Sequence, residues 1–155
     1  MKKIVFFLVA LTIIASACNN AHDHDHANNE PQTKQDSLLK EVLDGHDVAM
    51  KMQMTKMEKT KQGVQRLIDS VSKLPAKANE ALATYKEHLN EVLKDLSYAD
   101  NAMNKWMNEF NYDSAKNNLE ERIKYLTDEK LKVGHVKEAM LGSLQKADSL
   151  LKAKF

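Results

Sequence analysis

A seven-residue repeat of apolar side chains runs without interruption through residues 82–110, and it constrains the fold more than any other feature of the sequence. Two interleaved series make up this repeat: Leu82, Leu89, Leu96, Met103 and Phe110, and Tyr85, Val92, Ala99 and Trp106. Apolar residues that alternate at spacings of three and four lie along one side of an α-helix. The repeat therefore predicts a helix that packs lengthwise against other helices with a left-handed supercoil.

The same repeat occurs on both sides of this stretch. Before it, the two series are Leu43, Met50, Met57, Val64 and Val71, and Leu39, His46, Gln53, Thr60, Leu67 and Leu74, widened by Met54 and Ile68. After it, the series is Leu119, Leu126, Val133, Met140 and Ala147, joined by Ile123, Val136, Leu144, Leu150 and Leu151. Thr33 or Asp36 can cap the first helix, Pro75 ends it, and residues 111–114 supply a turn and a cap for the third.

We therefore predict an all-α domain over residues 36–155. The expected architecture is an antiparallel three-helix bundle with coiled-coil-like heptad packing and helices at about 36–74, 76–110 and 114–153. A long two-helix hairpin that dimerises into a bundle is the alternative, because unbroken heptads serve either arrangement. His46, Gln53 and Thr60 stand in the predicted seam where leucine is usual, so each needs a polar partner.

Residues 1–18 resemble a bacterial lipoprotein signal. Lys2 and Lys3 precede an apolar run that is too short to span a bilayer, and small residues lead to Cys18, the only cysteine. We predict that residues 1–17 are removed, that Cys18 carries the lipid, and that the protein is exported and anchored in the outer membrane, on its periplasmic side or at the cell surface. The alternative is an ordinary secretory signal with an unmodified Cys18.

Residues 18–35 form a polar stretch that predicts a flexible tether. Within it, His22, His24 and His26 alternate with aspartates. Three imidazoles so close together can chelate Zn²⁺ or Cu²⁺ weakly. The alternative is a hydrated spacer that lifts the domain off the lipid.

A second candidate metal site involves methionines. Folding the first two helices back about Pro75 brings residue 46 near 104 and residue 50 near 100. His46, Met50, Met103 and Met107 would then approach one another, with Trp106 adjacent. Imidazole and thioether ligands together suit Cu(I). The alternative is that these methionines only fill the core, where flexible thioethers pack well against aromatic rings.

The segment Ala99-Asp-x-Ala-Met-x-x-Trp-Met-x-x-Phe110, together with His46-Asp47 and the methionines at 50, 54 and 57, resembles a group of small bacterial lipoproteins. Members of this group are often labelled "viral A-type inclusion protein". The resemblance covers most of the chain beyond Cys18. It implies a helical, coiled-coil-like protein and no particular activity.

The charge balance and the motifs that are missing argue against two classes of function, nucleic-acid binding and catalysis. Without Lys2 and Lys3, 21 of the 23 basic residues remain against 22 acidic ones, and this balance disfavours a nucleic-acid binder. The sequence lacks a phosphate-binding glycine loop, a nucleophile elbow and a His-Glu-x-x-His helix, so we expect no enzyme activity.

Two functions stay open. The first is a structural or partner-binding envelope lipoprotein that docks a periplasmic or surface protein through a surface around the expected exposed residues Val48 and Met52. The second is a copper-binding protein that uses the methionine site. Association of the chain into a homo-oligomer is a separate expectation.

Overall fold

The computed structural model describes residues 33–152, and within this range the chain is helical and contains no β-strand. The elements are α1 (Lys34–Met52), a π-helical segment (Gln53–Met57), α2 (Glu58–Ser72), α3 (Ala76–Ala81), α4 (Ala83–Glu109) and α5 (Leu119–Lys152). These helices pack against one another, so the all-α fold class is confirmed. None of them combines the length and the apolarity needed to cross a membrane. The predicted signal, Cys18 and His22, His24 and His26 lie outside the described residues.

The first two helical runs begin where the sequence predicts. The hydroxyl of Thr33 caps α1, since it accepts a hydrogen bond from the backbone N–H of Asp36 at 3.2 Å. Pro75 separates α2 from α3, and its carbonyl accepts a bond of the new helix from the N–H of Asn79 at 2.9 Å. Leu82, with φ −102° and ψ 10°, interrupts the second run between α3 and α4. The sequence around Leu82 contains no glycine or proline that would mark this interruption.

The connection between α4 and α5 is longer than predicted, and α5 begins at Leu119 rather than near residue 114. Ala115 lies within this connection at φ 56°, a left-handed conformation that is unfavourable for a residue with a Cβ. Asn118 takes over the capping role, because its side-chain oxygen accepts a hydrogen bond from the N–H of Glu121 at 3.2 Å. As a result Leu119, predicted for the core, is exposed.

The π segment shifts the buried face of the first helical run by one residue. The repeat positions that are buried in this run are Val42, Ala49, Met57, Val64 and Val71, at spacings of seven, eight, seven and seven. The spacing of eight spans the π segment, whose i→i+5 hydrogen bonds take up one extra residue. The predicted series is therefore confirmed after the π segment and wrong before it, where Leu43 is exposed and Met50 is only half-buried.

The other two predicted series supply most of the remaining core. Their buried members are Leu89, Val92, Leu96, Ala99, Met103, Trp106, Leu126, Val133, Val136, Met140 and Ala147. The most extensive helix–helix contact joins α1 to α5, α4 packs against α5, and α2 packs against α4. Gly45 permits the close approach of α1, because a Cβ at this position would stand 3.0 Å from Cγ1 of Val133.

Candidate functional site

Trp106, the only tryptophan, is nearly buried and lies beside residues of both α1 and α5. Its indole stacks on Phe110, with ring centroids 4.9 Å apart and planes inclined by 20°. The ring of His46 is 5.6 Å from the indole, and Tyr125 continues the row at 6.2 Å from Phe110. We call His46, Trp106, Phe110 and Tyr125 the aromatic cluster. It places an imidazole against an indole, close to where folding about Pro75 would put them.

Glu129 is an acidic residue at a core position of α5, and its exposed fraction is only 3%. Its carboxylate accepts a hydrogen bond from Nε1 of Trp106 at 2.9 Å and one from Nζ of Lys132 at 2.7 Å. Among the described residues, every buried side-chain polar atom has such a partner. The sequence reasoning missed Glu129, although Leu126, Glu129 and Val133 follow the alternating spacing of a buried helix face.

The four residues predicted to bind copper do not share one environment. Met103 is fully buried, whereas Met50 and Met107 are half-buried and pack against the core. His46 is also half-buried, and its Nδ1 lies 2.9 Å from Oδ1 of Asp47. A carboxylate in this position commonly orients a histidine that binds a metal through its other ring nitrogen.

A different kind of metal site would combine several imidazole, thiolate or carboxylate ligands. Residues 33–152 contain no group of three or more His, Cys, Asp and Glu side chains placed to hold a metal ion. The predicted copper site has one imidazole and three thioethers, so it belongs to a softer class of site.

Gln53, a polar residue in the predicted seam, finds its partners on α4. Its Nε2 donates to Oδ1 of Asp100 at 2.8 Å and to Oδ1 of Asn104 at 3.1 Å. Nζ of Lys61 lies 2.7 Å from the other carboxylate oxygen of Asp100. This polar network fastens the π segment and α2 to α4.

The charges of the network shift one another's pKa. Burial raises the pKa of Asp100, but the hydrogen bonds from Lys61 and Gln53 outweigh it and leave the pKa below its ordinary value. The pKa of Lys61 is raised, chiefly by its hydrogen bond to Asp100. Both shifts favour the ion pair, so the carboxylate and the ammonium stabilise each other in the folded protein.

An apolar groove of about 450 Å³ lies between the first helical run and α5. Its lining includes Met52, Thr55, Lys56, Lys59, Leu141, Leu144 and Leu151, and we call it the α1–α5 groove. Val48 stands one turn before Met52 on α1 and is exposed, as Leu141 is on α5. The predicted exposure is therefore correct for Val48 and wrong for Met52, which is half-buried and packs against the core. Met54, expected to widen the core stripe, is instead exposed.

A second groove, of about 410 Å³, lies between α4 and α5. Its apolar walls include Ala102, Val136 and Ala139, with Trp106 among the lining residues. Lys105 and Glu109, which carry opposite charges, both line this groove, and Lys132, which also lines it, is paired with Glu129. The groove therefore carries charges of both signs and does not favour a ligand of one particular charge.

Comparison with protein-family models, with curated proteins and with solved structures finds no match for this chain.

Proposed function

We propose that this is a non-enzymatic envelope lipoprotein, anchored through Cys18, whose helical domain binds a protein partner. The observation that carries the proposal is the α1–α5 groove, where Leu141 and Leu151 are partly exposed beside the half-buried Met52 and Leu144. Apolar side chains that line a groove between two helices form the surface on which a further amphipathic helix packs.

The fold that we infer for the domain is an antiparallel three-helix bundle with heptad packing. The supporting pairs are Trp106–Glu129 and Asp95–Lys146 between α4 and α5, and Glu41–Lys130 and Gly45–Val133 between α1 and α5. Residue numbers run in opposite directions between α4 and α5 and in the same direction between α1 and α5. An up-down-up arrangement accounts for both relationships.

The charge around the groove defines the partner further. Lys56 and Lys59 line it and form no ion pair within residues 33–152, whereas Asp148 is paired with Lys152. An amphipathic helix with acidic residues beside its apolar face would match both the leucines and the free lysines. We therefore propose an acidic amphipathic helix of another envelope protein as the occupant.

Photocrosslinking in intact cells tests this surface. A photoreactive amino acid at Leu141, in the groove, should give a discrete adduct with a second protein, and Lys56→Glu with Lys59→Glu should abolish that adduct. The matched control is Leu131, which is somewhat more exposed than Leu141 on the same helix but does not line the groove. Equal adducts from both positions would contradict the proposal, and an adduct with a second copy of the chain would assign the groove to self-association.

Copper binding is the second candidate function, and the observation in its favour is the position of His46. The ring of His46 is held by Asp47 on one side and lies 5.6 Å from Trp106. Met50, Met103 and Met107 would supply the thioether ligands for Cu(I), while His22, His24 and His26 would hold Zn²⁺ or Cu²⁺ weakly. A nearby indole can also stabilise such a cation through its π face.

Titration of the full mature chain with Cu(I) distinguishes the two functions. If the methionine site binds copper, one equivalent should quench Trp106 strongly, and Met50→Leu with Met103→Leu should abolish the quenching. Because these substitutions nearly conserve volume, the free energy of unfolding should change by less than about 1.5 kcal/mol. A variant without residues 22–26 should behave as the wild type. Absence of quenching at micromolar Cu(I) would leave the methionines as core packing.

A further inference from the structure

The start of α1, the connection between α4 and α5 and the start of α5 lie at one end of the helical domain. α1 begins there, next to Thr33. The end of α4 and the start of α5 lie at the same end, because Trp106, near the end of α4, bonds to Glu129 of α5. Glu41, in the first half of α1, pairs with the neighbouring Lys130. The residues that precede Thr33 lead to Cys18. The opposite end carries the turn at Pro75.

Two large apolar side chains are exposed at the Thr33 end. Tyr112 in the connection is 50% exposed, and Leu119 at the start of α5 is 61% exposed. Nζ of Lys116 lies 5.0 Å from the centre of the Tyr112 ring and is also paired with Asp113. Tyrosine beside lysine is a common combination at the boundary between lipid and water, where the ring contacts lipid and its hydroxyl reaches water.

The charges around these two side chains are mixed. They include Lys34, Asp36, Glu109, Asp113, Lys116, Glu120, Glu121, Arg122 and Lys124. Acidic and basic residues nearly balance, so this end has no strong attraction for anionic groups. A contact made here would depend on apolar burial rather than on charge.

Lengths limit how the domain can sit above a membrane. From Cys18 to Thr33 the chain can reach about 50 Å when fully extended. The run from residue 34 to 72 is about 58 Å long at 1.5 Å per residue. An orientation with the Pro75 end on the membrane would therefore require the chain between Cys18 and Thr33 to be stretched to its full length or beyond, whereas the opposite orientation requires no stretching.

We propose that the Thr33 end of the domain rests on the lipid bilayer, with Tyr112 and Leu119 at the level of the headgroups. The proposal relies on the lipid anchor at Cys18 that is proposed above. This orientation points the Pro75 end away from the membrane and leaves the α1–α5 groove open along its side.

Fluorescence quenching by lipid tests the orientation. Full-length lipoprotein carrying Glu120→Cys, beside Leu119, is labelled with a thiol-reactive dye and placed in phosphatidylcholine vesicles that contain a headgroup-linked quencher. The matched variant is Lys73→Cys, an exposed residue beside Leu74 at the opposite end. Quenching should be several-fold greater at position 120 than at position 73.

The two apolar side chains are tested in the same background. Tyr112→Ser with Leu119→Ser should reduce the quenching at position 120 several-fold and leave position 73 unchanged. Because the local charges balance, vesicles with added phosphatidylglycerol should give the same result. Equal quenching at both ends, or quenching at position 120 that persists without Tyr112 and Leu119, would overturn the proposal.

The labelling step also tests the anchor separately. When lipid occupies the sulfur of Cys18, each variant has one reactive thiol and takes up one dye. Two dyes per chain, together with no binding to vesicles, would show that Cys18 is unmodified, and the lipid anchor itself would then be wrong.

Discussion

At Gly45 the backbone of α1 approaches α5 so closely that even a methyl group would press on Val133. At Gly134, on α5, no atom apart from the neighbouring residues and the local helix backbone lies within 4 Å of the position that a Cβ would occupy. Both glycines reduce helix propensity by a similar amount. Only the glycine at position 45 is therefore required by packing, and this distinction cannot be read from the sequence.

These two glycines should respond in opposite directions to alanine. We expect Gly134→Ala to raise the free energy of unfolding by about 0.5–1 kcal/mol, because alanine favours the helix. Gly45→Ala should lower it by about 1–2 kcal/mol, because Val133 must shift to admit the methyl group. Urea denaturation of both variants measures the difference. Equal stabilisation by the two substitutions would show that α1 and α5 are not in close contact at Gly45.

At the scale of the helices, periodicity predicts the elements well and their irregularities poorly. The heptads of α4 and most of those of α5 were correct because apolar spacing determines which side of a regular helix is buried. The π segment and the interruption at Leu82 were missed because neither has a glycine or proline to mark it. The late start of α5 was missed because Ala115 adopts a left-handed conformation that alanine seldom takes.

The same limits apply to the candidate site. The approach of His46 to Trp106 follows from Pro75 and from the lengths of the helices, so it could be anticipated. The buried Glu129 was missed, because a charged residue on an amphipathic helix is usually exposed even where its spacing fits the buried face. The half-burial of Met50 depends on the extra residue in the π segment. Whether these residues bind copper stays a prediction.

The π segment provides a test at this scale. Deletion of Met54, which is exposed, would shorten the spacing between Ala49 and Met57 from eight to seven and let the run continue as a regular α-helix. We expect the free energy of unfolding to change by less than about 1 kcal/mol, since Val42 and Ala49 would still face the core. Circular dichroism and urea denaturation measure the outcome.

Deletion of Gln65, an exposed residue of α2, is the control. Nothing in α2 can absorb the loss of one residue, so the two sides of the deletion would rotate by about 100° relative to each other. Several core side chains would leave the interior, at a cost of roughly 3 kcal/mol or more. A similar loss from both deletions would mean that the π segment is not where the register changes.

At the scale of the whole molecule, the polar network of Gln53, Lys61 and Asp100 joins the first helical run to the second. The pKa of Asp100 is lower in the folded protein than its ordinary value. Its carboxylate therefore contributes stability that is present above the unfolded pKa and is lost as the pH falls through the folded pKa.

We expect the free energy of unfolding to fall as the pH decreases below about 4, and Asp100→Asn should flatten this acid dependence. Urea denaturation between about pH 3 and pH 7 measures both curves. Asp95→Asn is a matched control, since Asp95 pairs with Lys146 at a more exposed position. If the free energy of unfolding of Asp100→Asn falls at low pH as steeply as that of the wild type, the polar network is not the cause of the acid dependence.

The contact between α1 and α5 joins the first and last helices of the described chain. A protein that is synthesised from its N-terminus completes α1 long before α5 exists. The side of α1 that packs against α5 therefore stays uncovered until α5 has been made. Bringing the two helices together also closes a long loop, which makes this step slow compared with local helix formation. A chain cut before α5 loses the neighbour of Gly45 and the acceptor of the Trp106 indole together. We therefore expect that a chain that ends before α5 cannot complete the core between α1, α4 and α5.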